Sequence, residues 1–276
     1  MGYIIKKVIK KICPPILIDF LNFCKKKQIN GGFKGNFKNW DEALVQASGW
    51  DSVKILEKVK TASLQVKNGL AVYEQDGITF NKQKYIFPVL AGFLRSVDNV
   101  NKSICVIDFG GSLGSHYYQM KSFFSKELKI NWNVVEQKAF VDCGTEEFEN
   151  DELKFHYSVK DCIVEEGKDL FFSSGVIQYL EDPYKFIEEI MNFGFKNIVL
   201  DRVFFIVNSS ERIVLQKADP DIFYDASFPA WIFNEEKFIN IFLSKYNLVS
   251  DFISEDADNE IEGIKIYHKG FILTQK

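Results

Sequence analysis

The chain has 276 residues, 46% of them hydrophobic, with 27 Phe and a formal net charge of −4. That length and apolar content suit one large α/β domain with an N-terminal extension and exclude a disordered chain. Without a global basic excess to draw phosphates, the composition gives no support for a nucleic-acid partner.

The cysteines Cys13, Cys24, Cys105, Cys143 and Cys162 are an odd set without a CxxC pair. They read as reduced thiols of a cytoplasmic protein, not as a zinc site or a disulfide frame. His116, His156 and His268 are scattered, without HxxxH or HExxH spacing. No pair of metal-ligating acids stands out either, so no catalytic metal is expected. Three parts are expected: a basic segment over 1–30, a helical lid or extension over 31–100, and an α/β domain over 101–276.

In the first part Ile4, Ile5, Val8, Ile9 and Ile12 share one helical face and Lys6, Lys7, Lys10 and Lys11 the other. Pro14-Pro15 ends that pattern. The apolar run after it is interrupted by Asp19 and is too short to span a bilayer. No small-residue cleavage site follows, so a secretory signal fits poorly. Residues 1–27 carry seven Lys against one Asp, in an otherwise acidic chain. Two readings stay open: a helix packed on the domain, or a segment lying on an anionic membrane surface, peripheral at the inner face of the cell membrane.

Residues 28–37 (QINGGFKGNF) read as a glycine-rich turn and linker. Asn39 or Asp41 can cap a helix ending near Gly49. A longer helix is expected from Ser52 to Asn68, with Ile55, Val59, Ala62 and Val66 as its buried stripe. Ala71 to Gly77 then leads to Phe80 and a helix from Phe87 to Val97. Aromatic and carboxylate residues together at that point read either as a lid or as a solvated connection with one buried Tyr.

The apolar run Ile104-Cys105-Val106-Ile107 ends in Asp108, and a turn with Gly110, Gly111, Ser112 and Gly114 follows. A strand, a tight loop and a helix start offer backbone N–H groups and a helix dipole to an anionic group of a ligand. A second strand, Ile130 to Val135, ends in Glu136, which is placed to take both hydroxyls of a ribose. Glu136 lies 28 positions past Asp108, further than the dinucleotide fingerprint expects. Further strands are expected at 154–157, 169–173 and 197–200, the last ending in Asp201-Arg202. A turn from Ser174 to Pro183 opens a helix through Met191. An aromatic-rich stretch, 222–231, precedes a helix from Asn234 to Tyr246 and two terminal strands, 248–254 and 265–274. Strands alternating with helices mean a mostly parallel sheet covered on both faces.

DFGGSLGS, VVEQ, SSGVIQYLEDP, LDR and YDASFPAW together resemble a family of S-adenosylmethionine (SAM)-dependent methyltransferases commonly encoded among bacterial surface-polysaccharide genes. The likeness runs from about Gly31 to the C-terminus. It implies the class I methyltransferase fold: a Rossmann-like, seven-stranded, mostly parallel sheet with helices on both faces and an antiparallel final hairpin. It also implies SAM as cofactor, and a glycan or a sugar-phosphate or lipid-linked precursor as acceptor. By position, Asp108, Gly110, Gly111, Ser112 and Gly114 would form the loop beneath the methionine part. Glu136 would hold the ribose, with Gln137 beside the adenine. The turn Ser158 to Asp161 would border the adenine, and Ser173, Ser174 and Gln178 would line the far wall. Two departures stand out. Ser112 replaces a glycine in the G-x-G-x-G pattern, and Gln178 stands where many class I enzymes have His, which removes an obvious general base.

Methyl transfer needs proximity and alignment, worth up to ~7–11 kcal/mol, and a hydroxyl acceptor gains a further ~10²–10⁴-fold from a general base. Asp201 is the favoured base and Arg202 the favoured contact to an anionic acceptor group; the alternative is an internal salt bridge between them. Tyr224 and Trp231 can stack on a sugar face or pack in the core. His116 reads as packing at the helix start. Two other functions compete: an NAD-dependent sugar-modifying enzyme, disfavoured by the lack of G-x-G-x-x-G and Tyr-x-x-x-Lys, and a non-catalytic SAM-fold protein that binds a partner in glycan assembly.

Overall fold

The computed structural model describes residues 32–48, 53–165, 167–218, 226–254 and 259–276. The expectations for residues 1–27 and for Tyr224 lie outside these. In chain order β1 (Gly32–Phe37) and α1 (Trp40–Leu44) precede α2 (Val53–Lys67). A hairpin of β2 (Tyr73–Gln75) and β3 (Ile78–Phe80) leads to α3 (Phe87–Ser96). Next come β4 (Ser103–Phe109), α4 (Ser115–Met120), β5 (Lys129–Val135) and α5 (Lys138–Glu147). They are followed by β6 (Leu153–His156), α6 (Val159–Glu165), β7 (Leu170–Ser174), α7 (Pro183–Phe193) and β8 (Asn197–Ile206). The rest is β9 (Arg212–Lys217), β10 (Ser227–Ile232), α8 (Glu235–Phe242), β11 (Tyr246–Ile253), β12 (Asn259–Ile261) and β13 (Ile264–Gln275).

The main sheet has the order β6-β5-β4-β7-β8-β13-β11. Its first five strands are parallel, while β13 runs antiparallel to both β8 and β11. Counted along the chain, these seven strands stand in the order 3-2-1-4-5-7-6. Period-two alternation divides the core between the two faces. Val106, Phe172 and Val199 pack with Ile55, Val59 and Phe93 of α2 and α3 on one side. Ile107, Phe171 and Ile198 pack with Ile187 and Ile190 of α7 and Phe238 of α8 on the other. The whole stripe Ile55, Val59, Ala62, Val66 is buried as its spacing predicts.

Three readings change. Residues 32–37 form a strand, not a linker: β1 pairs antiparallel with β9, which pairs with β10 in a separate three-stranded sheet. Glycines at 32 and 35 masked the strand pattern; Phe33 anchors it with its ring 5.3 Å from that of Phe204. The segment after Ala71 is a hairpin whose turn residues Asp76 and Gly77 both have positive φ, as a two-residue I′-type turn requires. Strand β8 does not end at Leu200. Its ladder with β7 ends at the pair Ser174 and Asp201, Arg202 takes φ +55°, and the strand continues to Ile206 along β13 with a register shift.

Candidate functional site

A cavity of about 510 Å³ opens beyond the carboxyl ends of the central parallel strands, where such sheets bind ligands. Its floor is the glycine loop. Gly110 has φ +76°, and a Cβ there would run into Val176; a Cβ on Gly111 would run into the Asp108 carboxyl. The backbone is therefore bare of side chains where these two residues line the cavity. Ser112 adopts the left-handed φ of +56° that glycine usually fills at its position.

Glu136 follows β5. Its Oε2 accepts from the Gln137 N–H at 2.8 Å, and the Ser112 backbone also donates to the carboxylate. Burial raises its pKa. The Gly110 N–H in turn donates to the Val135 carbonyl at 2.9 Å. Loop and acid thus form one unit held by backbone bonds.

Asp108 sits beneath that unit, 1% exposed. Trp132 Nε1 donates to its Oδ2 at 3.0 Å, and Oδ1 has no hydrogen-bond partner among the described residues. Burial pushes the carboxyl up to about 7. His116 Nδ1 lies 3.9 Å away, and burial pushes the imidazole down to about 3, so the ring is neutral at pH 7. His116 faces the cavity as well as packing edge-on to Phe172.

At the other wall stand Ser174, Asp201 and Arg202. Asp201 Oδ1 accepts from the Arg202 N–H (2.9 Å) and the Ser254 Oγ (2.6 Å), and Oδ2 accepts from Ser174 Oγ (3.3 Å). Arg202 Nε donates to Ser174 Oγ at 3.2 Å, and its Nη1 lies 3.8 Å from Asp76 Oδ2. Gln178 is buried and donates to the Arg202 carbonyl at 3.1 Å, steadying the bent backbone.

Of the residues expected at the site, Gly110, Gly111, Ser112, Glu136 and Gln137 share the cavity wall with Ser174, Asp201 and Arg202. Asp108, Gly114, Ser173 and Gln178 stand behind that wall. Gly114 caps α4 at φ +87°, and Ser173 Oγ donates to the Phe109 carbonyl at 3.1 Å. Ser158 precedes α6, its Oγ donating to Asp161 Oδ2 at 2.7 Å, and Tyr157 reaches the cavity in its place. Trp231 packs parallel to Phe233, ring centroids 6.2 Å apart, away from the cavity. The hairpin supplies residues that were not expected: Glu74 and Asp76 line the wall, with Lys84 and Ser115 nearby. Glu74 is 4% exposed; it accepts from Ser115 Oγ and from the Gly77 N–H at 3.1 Å, and burial pushes it up to about 7. The mixture of carboxylates and aromatics that suggested a lid was its only trace in the sequence. Among the described residues no cluster of three or more His, Cys, Asp or Glu could hold a metal ion.

A 3-2-1-4-5 parallel order followed by the antiparallel 7-6 pair, with a glycine loop after the first strand and an acid after the second, defines the class I methyltransferase fold. No family model and no curated protein matches the chain. Among solved structures it is similar to a SAM-dependent methyltransferase from Clostridium acetobutylicum (10% identity over 68% of this chain and 89% of that one, TM-score 0.44). It is also similar to the 1,6-didemethyltoxoflavin-N1-methyltransferase of Burkholderia thailandensis (10% identity, 90% and 96%, TM-score 0.44). A third is magnesium protoporphyrin IX methyltransferase from Synechocystis (10% identity, 80% and 100%, TM-score 0.42).

Proposed function

We propose that the chain is a SAM-dependent methyltransferase. The observation that carries this reading is the joining of Glu136 to the bare glycine loop in one cavity at the strand ends. The residues present fit the cofactor. A carboxylate stands where ribose hydroxyls need an acceptor, and the loop leaves no side chain between ligand and backbone. The charge of the site fits too: Glu74, Asp76, Glu136 and Asp201 line the cavity against Lys84 and Arg202, with Asp108 beneath the loop. Such a lining favours a cationic ligand over the pyrophosphate of NAD.

When bound, SAM supplies a methyl group on a positively charged sulfur. The chain's own part is to bind, to align and to exclude water. Arg202 is the contact for an anionic group on the acceptor. Asp201 is nearly fully buried and already accepts three hydrogen bonds, which favours a role in orienting Ser174 and Arg202 over one in taking a proton. The family resemblance supports a hydroxyl of a surface glycan or its precursor as acceptor. The basic residues 1–27 support action at the inner face of an anionic membrane. Calorimetry with SAM, its demethylated product S-adenosylhomocysteine and NAD tests the cofactor: the first two should bind and NAD should not. Tritiated-methyl transfer to glycan extracts tests the acceptor.

A further inference from the structure

The hairpin that precedes the methyltransferase fold places a carboxylate inside the cavity, and nothing in the fold itself requires one there. Glu74 is on β2, its side chain is buried, and both its oxygens are oriented, one by Ser115 Oγ and the other by the Gly77 N–H. Ser115 is the first residue of α4, directly after the glycine loop. Glu74 and Glu136 therefore line the same cavity, Glu74 beside the helix start that follows the glycine loop. A ligand whose ribose is held at Glu136 and which crosses Gly110 and Gly111 presents its other end to the hairpin.

We infer that Glu74 receives the α-ammonium group of SAM, so that the N-terminal hairpin forms part of the cofactor site. This rests on the methyltransferase reading above. The amino-acid end of SAM is a zwitterion and needs both signs of charge. Lys84 lines the same cavity and supplies the positive partner for the carboxylate. An ammonium beside Glu74 favours the ionised carboxylate that burial otherwise opposes. The oriented geometry also suits a fixed cation: Glu74 keeps lone pairs beyond the two bonds it already accepts. A solvated lid residue would leave its carboxylate in water, and Glu74 does not.

The test compares two ligands by calorimetry at pH 8: S-adenosylhomocysteine, which carries the amino-acid end, and 5′-methylthioadenosine, which lacks it. Glu74→Gln keeps the shape and the acceptor oxygen for Ser115 or Gly77 but removes the charge. It should weaken S-adenosylhomocysteine at least tenfold while leaving 5′-methylthioadenosine within twofold. Glu136→Gln, in contrast, should weaken both. Equal affinity of wild type and Glu74→Gln for S-adenosylhomocysteine overturns the assignment. Tighter binding by the variant also overturns it, since Glu74 would then face the carboxylate of the ligand. An equal loss for both ligands makes the residue merely structural and overturns it as well. If the wild type binds neither ligand, the methyltransferase reading fails, and this assignment with it. Ser115→Ala, which removes the hydroxyl that orients Glu74, provides a second variant and should show the same selectivity in weaker form.

Discussion

Trp132 Nε1 donates to Asp108 Oδ2 at 3.0 Å, the one hydrogen bond that the buried carboxyl receives from the described residues. Burial raises Asp108 from 3.8 to about 7, against the effect of that bond, and the charge of Glu136 adds to the rise. A carboxyl whose folded pKa is raised holds its proton in the native state while the unfolded chain has lost it. Its contribution therefore makes stability fall as pH rises from about 4 to 7. His116, lowered to about 3, works in the opposite sense and makes stability fall as pH drops below 6.5. Asp108→Asn keeps an oxygen for Trp132 and removes the ionisation. Urea unfolding at pH 5 and pH 8 should show the variant gaining roughly 2 kcal/mol on the wild type between the two. Parallel profiles would exclude an ionising Asp108.

Glu136→Ala removes the clasp on Ser112 and, on the proposed reading, the acceptor for the ribose hydroxyls. Affinity for SAM, measured by calorimetry, should fall by about 1.5–3 kcal/mol, the worth of charge-assisted hydrogen bonds. Wild-type affinity would remove Glu136 from the site.

Gly110→Ala combines a φ of +76° with a Cβ that collides with Val176. The expected cost is on the order of 1–3 kcal/mol in unfolding free energy, together with loss of ligand binding. Trimming the collision with Val176→Ala in the same chain should recover part of the loss, because the strain of the left-handed backbone would remain.

Asp201→Asn turns a donor amide towards a position that now accepts from Ser174 Oγ. If the residue positions Ser174 and Arg202, the melting temperature should drop, by the equivalent of about 1–3 kcal/mol, with methyl transfer per folded molecule largely kept. A fall of about 10²–10⁴ with unchanged SAM affinity would instead make Asp201 the general base.

Deleting residues 1–27 should leave SAM affinity intact and reduce sedimentation with anionic vesicles. Equal vesicle binding by the full-length and shortened chains would contradict the membrane assignment.

The parallel core was legible because β4, β7 and the start of β8 are short apolar runs and β5 and β6 alternate apolar with polar residues, with the glycine loop and Glu136 at the strand ends. What was hidden depends on distance along the chain. No local pattern tells that Glu74 meets Ser115, since the hairpin reaches the cavity only through packing. Strand β1 was hidden because two of its six residues are glycines. Strand β8 was read too short because Asp201 and Arg202 look like a strand end, whereas β13 supplies partners beyond them. Ser158 and Tyr157 are neighbours, and which of the two faces the cavity depends on where α6 begins.

The pairing of β1 with β9 also has a kinetic side. Gly32 meets Lys217, about 185 residues later, so on a ribosome adding ~5–20 residues per second β1 waits some ten seconds or more for its partner. Contacts of such long sequence separation are slow to close, and an unpaired strand edge is open to wrong partners meanwhile. Lys34 and Asn36 alternate with the aromatic residues of β1 and make it a poor template for other edges. Completion of the three-stranded sheet is thus expected late in folding, after the parallel core, with the protection of β1 amides as its marker in pulsed hydrogen exchange.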